Sequence, residues 1–195
     1  MKYYAVKKGR ECGIYSSWQD CEPLVKGYEG AIFKSFSTRD EALAFLGEKS
    51  ESDLSFEKPT AYVDGSYNKE TDEYSFGGIL FLEDGKHIFS KKFGPDDYSS
   101  TRNVAGEVRG ASFIINYAIK HNIKELDLYY DYQGIESWYK GEWKTNTELT
   151  QKYREFALKN NGVIKVNFHK VKSHTGIKYN EEVDLLAKQA LGIKN

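Results

Sequence analysis

Residues 61–66 read Ala61-Tyr62-Val63-Asp64-Gly65-Ser66. The apolar run predicts a strand, and the Asp-Gly-Ser that stops it leaves a carboxylate at the strand's end. Downstream, Ser75–Leu82 and Lys86–Phe93 read as two further strands joined at Glu83-Asp84-Gly85, a hairpin signal. A long helix is predicted over Ala105–Lys120, with Glu107 near its start. Leu126–Tyr130 predicts a strand that ends at Asp131. Shorter helices follow at Gly134–Tyr139 and Glu148–Asn160, stopped by Asn161-Gly162. Val163–His169 predicts a fifth strand, and Asn180–Leu191 a last helix carrying Asp184. A hairpin followed by alternating helices and strands gives an α/β class, a mixed five-stranded sheet with flanking helices.

Four acids, Asp64, Glu107, Asp131 and Asp184, thus stand at or near places where the chain changes element. Carboxylates at strand ends and facing helix starts can converge. Several at one point repel one another unless a cation joins them, and the hard, oxygen-ligated Mg²⁺ is the natural partner. For any one of 29 Asp and Glu residues taken alone, a solvated or capping role is the better reading. Glu125 and Asp127, close to Asp131, are read in that way.

The 195 residues are 39% hydrophobic and 29% charged, a globular composition long enough for one domain with a real core and a smaller second one. The formal net charge of -1 gives no overall basic field, so nucleic-acid binding has to come from local patches, metal ions or sugar and backbone contacts. No apolar run approaches a membrane span, and Met1-Lys2-Tyr3-Tyr4 lacks the hydrophobic start of a signal peptide. A cytoplasmic monomer is expected. Cys12 and Cys21 stand outside any metal-ligand cluster and are read as reduced, structural thiols.

A polar, acidic stretch, GEKSESDLSFEK over residues 47–58, precedes Pro59 and reads as a linker. The expected division is a domain at 1–47, a linker at 48–58 and a second domain at 59–195. In the first, Tyr3–Lys7, Gly13–Tyr15 and Ala31–Phe36 predict strands. Ser17-Trp18-Gln19-Asp20 and Thr38-Arg39-Asp40-Glu41 are helix-starting boxes. This ββαβα unit is small for an independent core, and its aromatics offset that in part by burying large areas.

Tyr62-Val63-Asp64-Gly65-Ser66, Ala105-Gly106-Glu107, Tyr130-Asp131-Tyr132-Gln133, Lys172-Ser173-His174-Thr175-Gly176 and Asn180-Glu181-Glu182-Val183-Asp184 occur in this order. Together they resemble ribonuclease H of type 1. Tyr4–Arg10, Gly13-Ile14-Tyr15, Trp18, Cys21 and Phe33-Lys34-Ser35-Phe36 resemble the small hybrid-binding, viroplasmin-type module found in front of some of these enzymes. The resemblance implies a ribonuclease H-like fold and an endonuclease that hydrolyses the RNA strand of RNA–DNA hybrids, leaving 5′-phosphate and 3′-hydroxyl ends. It implies two Mg²⁺ ions, with Mn²⁺ as a substitute. Asp64 would bridge both ions, Glu107 would serve the leaving-group side and the adjacent 2′-hydroxyl, Asp131 would complete a shell, and Asp184 would serve the water side. His174 would assist proton transfer or product departure, work that suits an imidazole. Ser66, Asn103 and Gln133 would meet the RNA minor groove, where 2′-hydroxyls mark RNA. Asn103 also reads as a helix cap. Thr101 and Arg102 fall where the family grips a DNA phosphate.

In the first domain Trp18 and Phe33 would stack on DNA sugars, Lys34 would meet phosphate and Tyr4 would support them, while Tyr3, Tyr15 and Phe36 read as core. Gly27 and Gly30 would let backbone amides approach RNA. The chain departs from the family at Tyr132, which replaces a serine, at Tyr67–Tyr74, read as a longer polar loop, at Ser35, which replaces a lysine, and at Lys140–Thr147, too short for a basic second helix. The competing reading is an idle nuclease fold that binds hybrid or double-stranded RNA without cutting it.

Overall fold

The computed structural model describes residues 2–47, 57–171 and 178–193, except the side chain of Asp40. Two compact units emerge, Met1–Ser55 and Phe56–Asn195. Most of the expected linker, and the His174 loop, lie outside the described residues.

In the first unit the order is β1 (Tyr3–Lys8), β2 (Gly13–Tyr15), α1 (Trp18–Val25), β3 (Ile32–Phe36) and α2 (Arg39–Leu46). The Ser17 hydroxyl accepts from the Asp20 amide at 3.1 Å to start α1. Thr38 and Glu41 close a full capping box on α2. Each box satisfies helix-start amides that would otherwise lack partners. The strands pair antiparallel in the order β2-β1-β3. The core is small: Val6, Cys21 and Val25, with Tyr4, Tyr15 and Ala31 packed against them. Cys12 is exposed and Cys21 buried, both free thiols. The alternation in β3 does not translate into burial, for Ile32 and Phe33 are 47% and 43% exposed.

The second unit is a five-stranded sheet ordered β6-β5-β4-β7-β8. Its strands are β4 (Thr60–Asn68), β5 (Glu73–Leu82), β6 (Gly85–Phe93), β7 (Glu125–Tyr130) and β8 (Lys165–Lys170). The first three pair antiparallel, while β7 and β8 run parallel to β4. The helices are α3 (Asn103–Lys120), α4 (Gly134–Lys140), α5 (Glu148–Lys159) and α6 (Lys178–Ala190). Successive residues of β5 show how helices cover both faces. A Cβ on Gly77 would stand 2.1 Å from the Val183 carbonyl of α6, and one on Gly78 would stand 2.8 Å from Ile114 Cδ1 of α3. Between α3 and the sheet lie fully buried Leu80, Ile114, Ile115, Leu126, Leu128 and Tyr130. Each aliphatic side chain there contributes on the order of 1.5–3 kcal/mol.

Three readings need correction. Tyr67–Tyr74 is no long loop: Tyr67 pairs with Tyr74 and Asn68 with Glu73, so the hairpin continues to a turn at residues 69–72. The Asn68 side chain accepts from the Glu70 amide at 2.9 Å and holds that turn. The fifth strand starts at Lys165 and not at Val163, which stays 41% exposed after the left-handed Gly162. Glu125 and Asp127 are not merely solvated. Glu125 is held by Lys58 at 2.9 Å, Asn167 at 2.9 Å and Lys165 at 3.1 Å. These bonds, that to Lys58 foremost, draw its carboxyl down to about 2. Asp127 accepts from Asn167 at 2.7 Å.

Candidate active site

Asp64 lies on the central strand β4, opposite Gly77. Asp131 follows the end of β7, the parallel neighbour of β4. Glu107 enters from the second turn of α3. It does so because nothing but backbone separates α3 from β4. A Cβ on Gly65 would stand 2.3 Å from the Asn103 carbonyl and 2.6 Å from the Glu107 amide. A Cβ on Gly106 would stand 1.9 Å from the Ser75 carbonyl and 3.1 Å from Gly65 Cα. Glycine at both positions permits a contact that any side chain would wedge apart.

The outcome is a cluster in which one carboxylate oxygen each from Asp64, Glu107 and Asp131 lies within 4.8 Å of the others. Glu107 is only 2% exposed and Asp64 8%, while Asp131 is half-buried. Asp64 Oδ1 accepts from the Gly65 amide at 2.7 Å. Asn103 donates to Glu107 Oε1 at 3.2 Å, and Glu107 Oε2 is buried without a hydrogen-bond partner. Burial first, then the charges of Asp131 and Asp184, push the Asp64 carboxyl up to about 7 despite the Gly65 amide. Burial, then Asp131 and Asp64, hold Glu107 well above the usual carboxylate range. Acids this costly to ionise, with a buried oxygen aimed at no donor, fit a hard divalent cation. The donor set is all oxygen, as Mg²⁺ or Mn²⁺ requires.

The fourth acid stands apart from this group. Asp184, half-buried on α6, is bound by Lys188 at 2.7 Å, one turn along the same helix. Its charge still reaches Asp64. Asn103 opens α3 on the exposed side, beside Arg102 at φ 56°. Its amide bonds Glu107, so the capping role is replaced by a hold on the cluster. Thr101 donates to the Tyr98 carbonyl at 2.7 Å. Ser66 is 8% exposed. Gln133 turns its amide into α4, on Ser137 Oγ at 3.2 Å.

Tyr132 packs on Trp138 at 5.7 Å and Trp143 at 6.4 Å, and the charge of Glu107 acts on its hydroxyl. Sequence reading passed over Trp138 and Trp143. The signal was present, two tryptophans within the segment that follows Asp131. Trp143 is 43% exposed, so the segment after Lys140 presents aromatic surface, with Lys144 as its exposed cation.

In the first unit, Tyr4, Trp18 and Phe33 form one row, with centroids 5.6 Å and 5.7 Å apart. Trp18 and Phe33 are 39% and 43% exposed. Lys34, the next residue along β3, points to the other face, where its Nζ lies 5.5 Å from the Phe36 ring. Gly27 and Gly30 adopt φ of 70° and 72° in the loop after α1.

Comparisons with known proteins agree with this geometry. The family model described as "Ribonuclease H1 N-terminal domain" matches residues 2–46. Ribonuclease H of Saccharomyces cerevisiae is 52% identical over 46 residues, which cover 24% of this chain and only 13% of that protein. Human ribonuclease H1 is 24% identical over an alignment 253 positions long, gaps included, covering 96% of this chain and 88% of its own length. The crystal structure of RNase H1 from the halophilic archaeon Halobacterium salinarum superposes with a TM-score of 0.57 at 22% identity, over 69% of this chain and 98% of that one, and so shares its fold. The model described as "RNase H" matches residues 57–192, and the chain belongs to the RNase H family.

Proposed function

We propose that this protein is an endoribonuclease that hydrolyses the RNA strand of RNA–DNA hybrids and leaves 5′-phosphate and 3′-hydroxyl ends. The observation that carries the reading is the buried Asp64–Glu107–Asp131 cluster with its unpartnered Glu107 oxygen. These residues, with Asp184, would hold two Mg²⁺ ions, for which Mn²⁺ can substitute. Such ions supply an activated water and charge stabilisation for displacement at phosphorus.

The chain's own groups do the rest. The backbone contact at Gly65 and Gly106 fixes the separation of Asp64 and Glu107. Asn103 orients Glu107 and leaves its second oxygen free for the site. Lys188 orients Asp184 along α6, from where its charge reaches Asp64. Asn103, Gln133 and Ser66 would meet the RNA strand, and His174 would serve proton movement. In the first unit the exposed Trp18–Phe33 row offers ring faces to DNA sugars, and Gly27 and Gly30 give backbone amides access to RNA. Lys34, on the other face, reaches phosphate only around the edge of β3.

The test is cleavage of end-labelled hybrid by wild type and by Asp64→Asn, with analysis of the product ends. Divalent-dependent cleavage of the RNA strand is expected in the wild type alone. Equal cleavage by both proteins, or none by either in Mg²⁺ and Mn²⁺, refutes the proposal.

A further inference from the structure

Arg109 lies two residues beyond Glu107 on α3, turned away from the acidic cluster. Its guanidinium lies 4.6 Å from the Phe93 ring, 5.1 Å from Tyr98 and 5.7 Å from Tyr74. Its ion pair to Asp96 is long at 3.4 Å. Asp96 is already engaged by the Tyr74 hydroxyl and the Tyr98 amide, both at 2.9 Å. Arg109 Nε is buried and has no hydrogen-bond partner. A planar cation is thus clamped between rings with part of its donor set unused.

Arg109 borders a groove of about 640 Å³ between α3, the β5–β6 hairpin and α5. That size suits a small organic ligand. Two more cations line it, Lys91 from β6 and Lys152 from α5. Lys91 makes no ion pair or hydrogen bond among the described residues, and its Nζ lies 5.2 Å from the Phe93 ring. Lys152 reaches the Tyr98 hydroxyl at 2.9 Å and Glu148 at 2.6 Å, a pair more than half exposed and so weakly held. No carboxylate is among the described residues that line the groove. Its walls carry Phe76, Phe93, Phe113 and Phe156, and Phe113 is 39% exposed. Asp96 and Glu148 partner Arg109 and Lys152 from outside the lining, so three cations against two acids leave the groove net positive beside the exposed Phe113 ring, which selects an anion that is also flat and aromatic. Ser112 and Asn116 on α3 add neutral donors and acceptors.

We propose that this groove binds a nucleotide, its base against Phe93 and Phe113 and its phosphate on Arg109, Lys91 and Lys152. The nucleotide is either free or part of a single strand. The groove is separate from the acidic cluster, and the inference does not depend on the function proposed for that cluster.

The test measures binding of adenosine 5′-monophosphate, and of a short single-stranded DNA, to the full chain in EDTA. Calorimetry reads affinity, and amide chemical shifts locate the site. The variants are Lys91→Gln/Lys152→Gln, which leaves the rings and Arg109 in place, and Arg109→Gln. Saturable binding is expected, with shifts at Phe93, Arg109 and Phe113, weakened about tenfold or more in the double variant, as for loss of charge-assisted hydrogen bonds. Binding of both probes assigns a free-nucleotide site, and binding of the oligonucleotide alone assigns a strand site. Hybrid cleavage by the double variant is expected to be unchanged. No saturable binding of either probe, binding unaltered in both variants, or shifts confined to Trp18 and Phe33 overturns the proposal.

Discussion

Replacing Asp64 with asparagine keeps the shape of the side chain and removes a charge that is costly in the absence of a cation. Burial and the neighbouring acids raise this carboxyl from 3.8 to about 7. Three units at roughly 1.4 kcal/mol each amount to about 4 kcal/mol. An acid raised on folding binds more protons in the folded state, so the protein loses stability as pH rises from about 4 to about 7, and the whole cost is present above that range. Glu107 is raised in the same sense, so the window belongs to the cluster as a unit. In EDTA at alkaline pH we predict that Asp64→Asn is more stable than wild type by up to about 4 kcal/mol, on the order of 10 °C in melting temperature. The difference should close as pH falls toward about 4, where the wild-type carboxyl is protonated. Added Mg²⁺ should raise the melting temperature of the wild type well above any effect on the variant, because binding to the folded state stabilises it by mass action. Thermal melts across pH, with EDTA and with Mg²⁺, measure all three effects. A variant no more stable than wild type in EDTA at alkaline pH would refute the reasoning, whatever its activity.

Other perturbations test other parts of the structure. Gly106→Ala places a methyl group 1.9 Å from the Ser75 carbonyl, and backbone cannot yield as a side chain can; denaturant unfolding should show a loss of about 1–3 kcal/mol or more, and an unchanged midpoint would contradict the contact. Glu125→Gln removes a carboxylate drawn down to about 2. Its stabilisation is present above the ordinary carboxyl range and lost as pH falls through about 2, so wild type and variant should differ at neutral pH and converge in acid; a constant difference would show that charge is not the cause. Trp18→Ala should weaken hybrid binding about tenfold while leaving single-turnover cleavage at saturating hybrid intact. Removing residues 1–47 should act in the same direction, through the lost second attachment; slower chemistry at saturation would count against both.

Periodicity carried most of the fold. Strands such as Leu126–Tyr130 and the helix over Ala105–Lys120 follow from where apolar residues recur, since burial on one face enforces that pattern. Tyr67-Asn68 was lost because polarity reports exposure and not pairing, and a hairpin can continue through polar residues. The opposite placement of Lys34 and Phe33 was available from strand alternation, which sends consecutive side chains to opposite faces. The position of Asp184 outside the tight cluster had a sequence cue in Lys188, four residues on and so on the same helix face. By contrast, nothing local announces that Gly65 and Gly106 touch. Each explains itself only when strand and helix are placed together.

That contact has a bearing on how the protein can change. The gap between Asp64 and Glu107 is gauged by main chain against main chain, with no side chain acting as a shim. Mutations that swell or shrink the apolar interior can therefore tilt the far end of α3 without resetting the gauge. Hydrostatic pressure should likewise close voids elsewhere before it moves these two acids, because the seam between the glycines holds no space to lose. A lineage carrying this seam is free to drift widely in its interior while keeping the same spacing of the two acids.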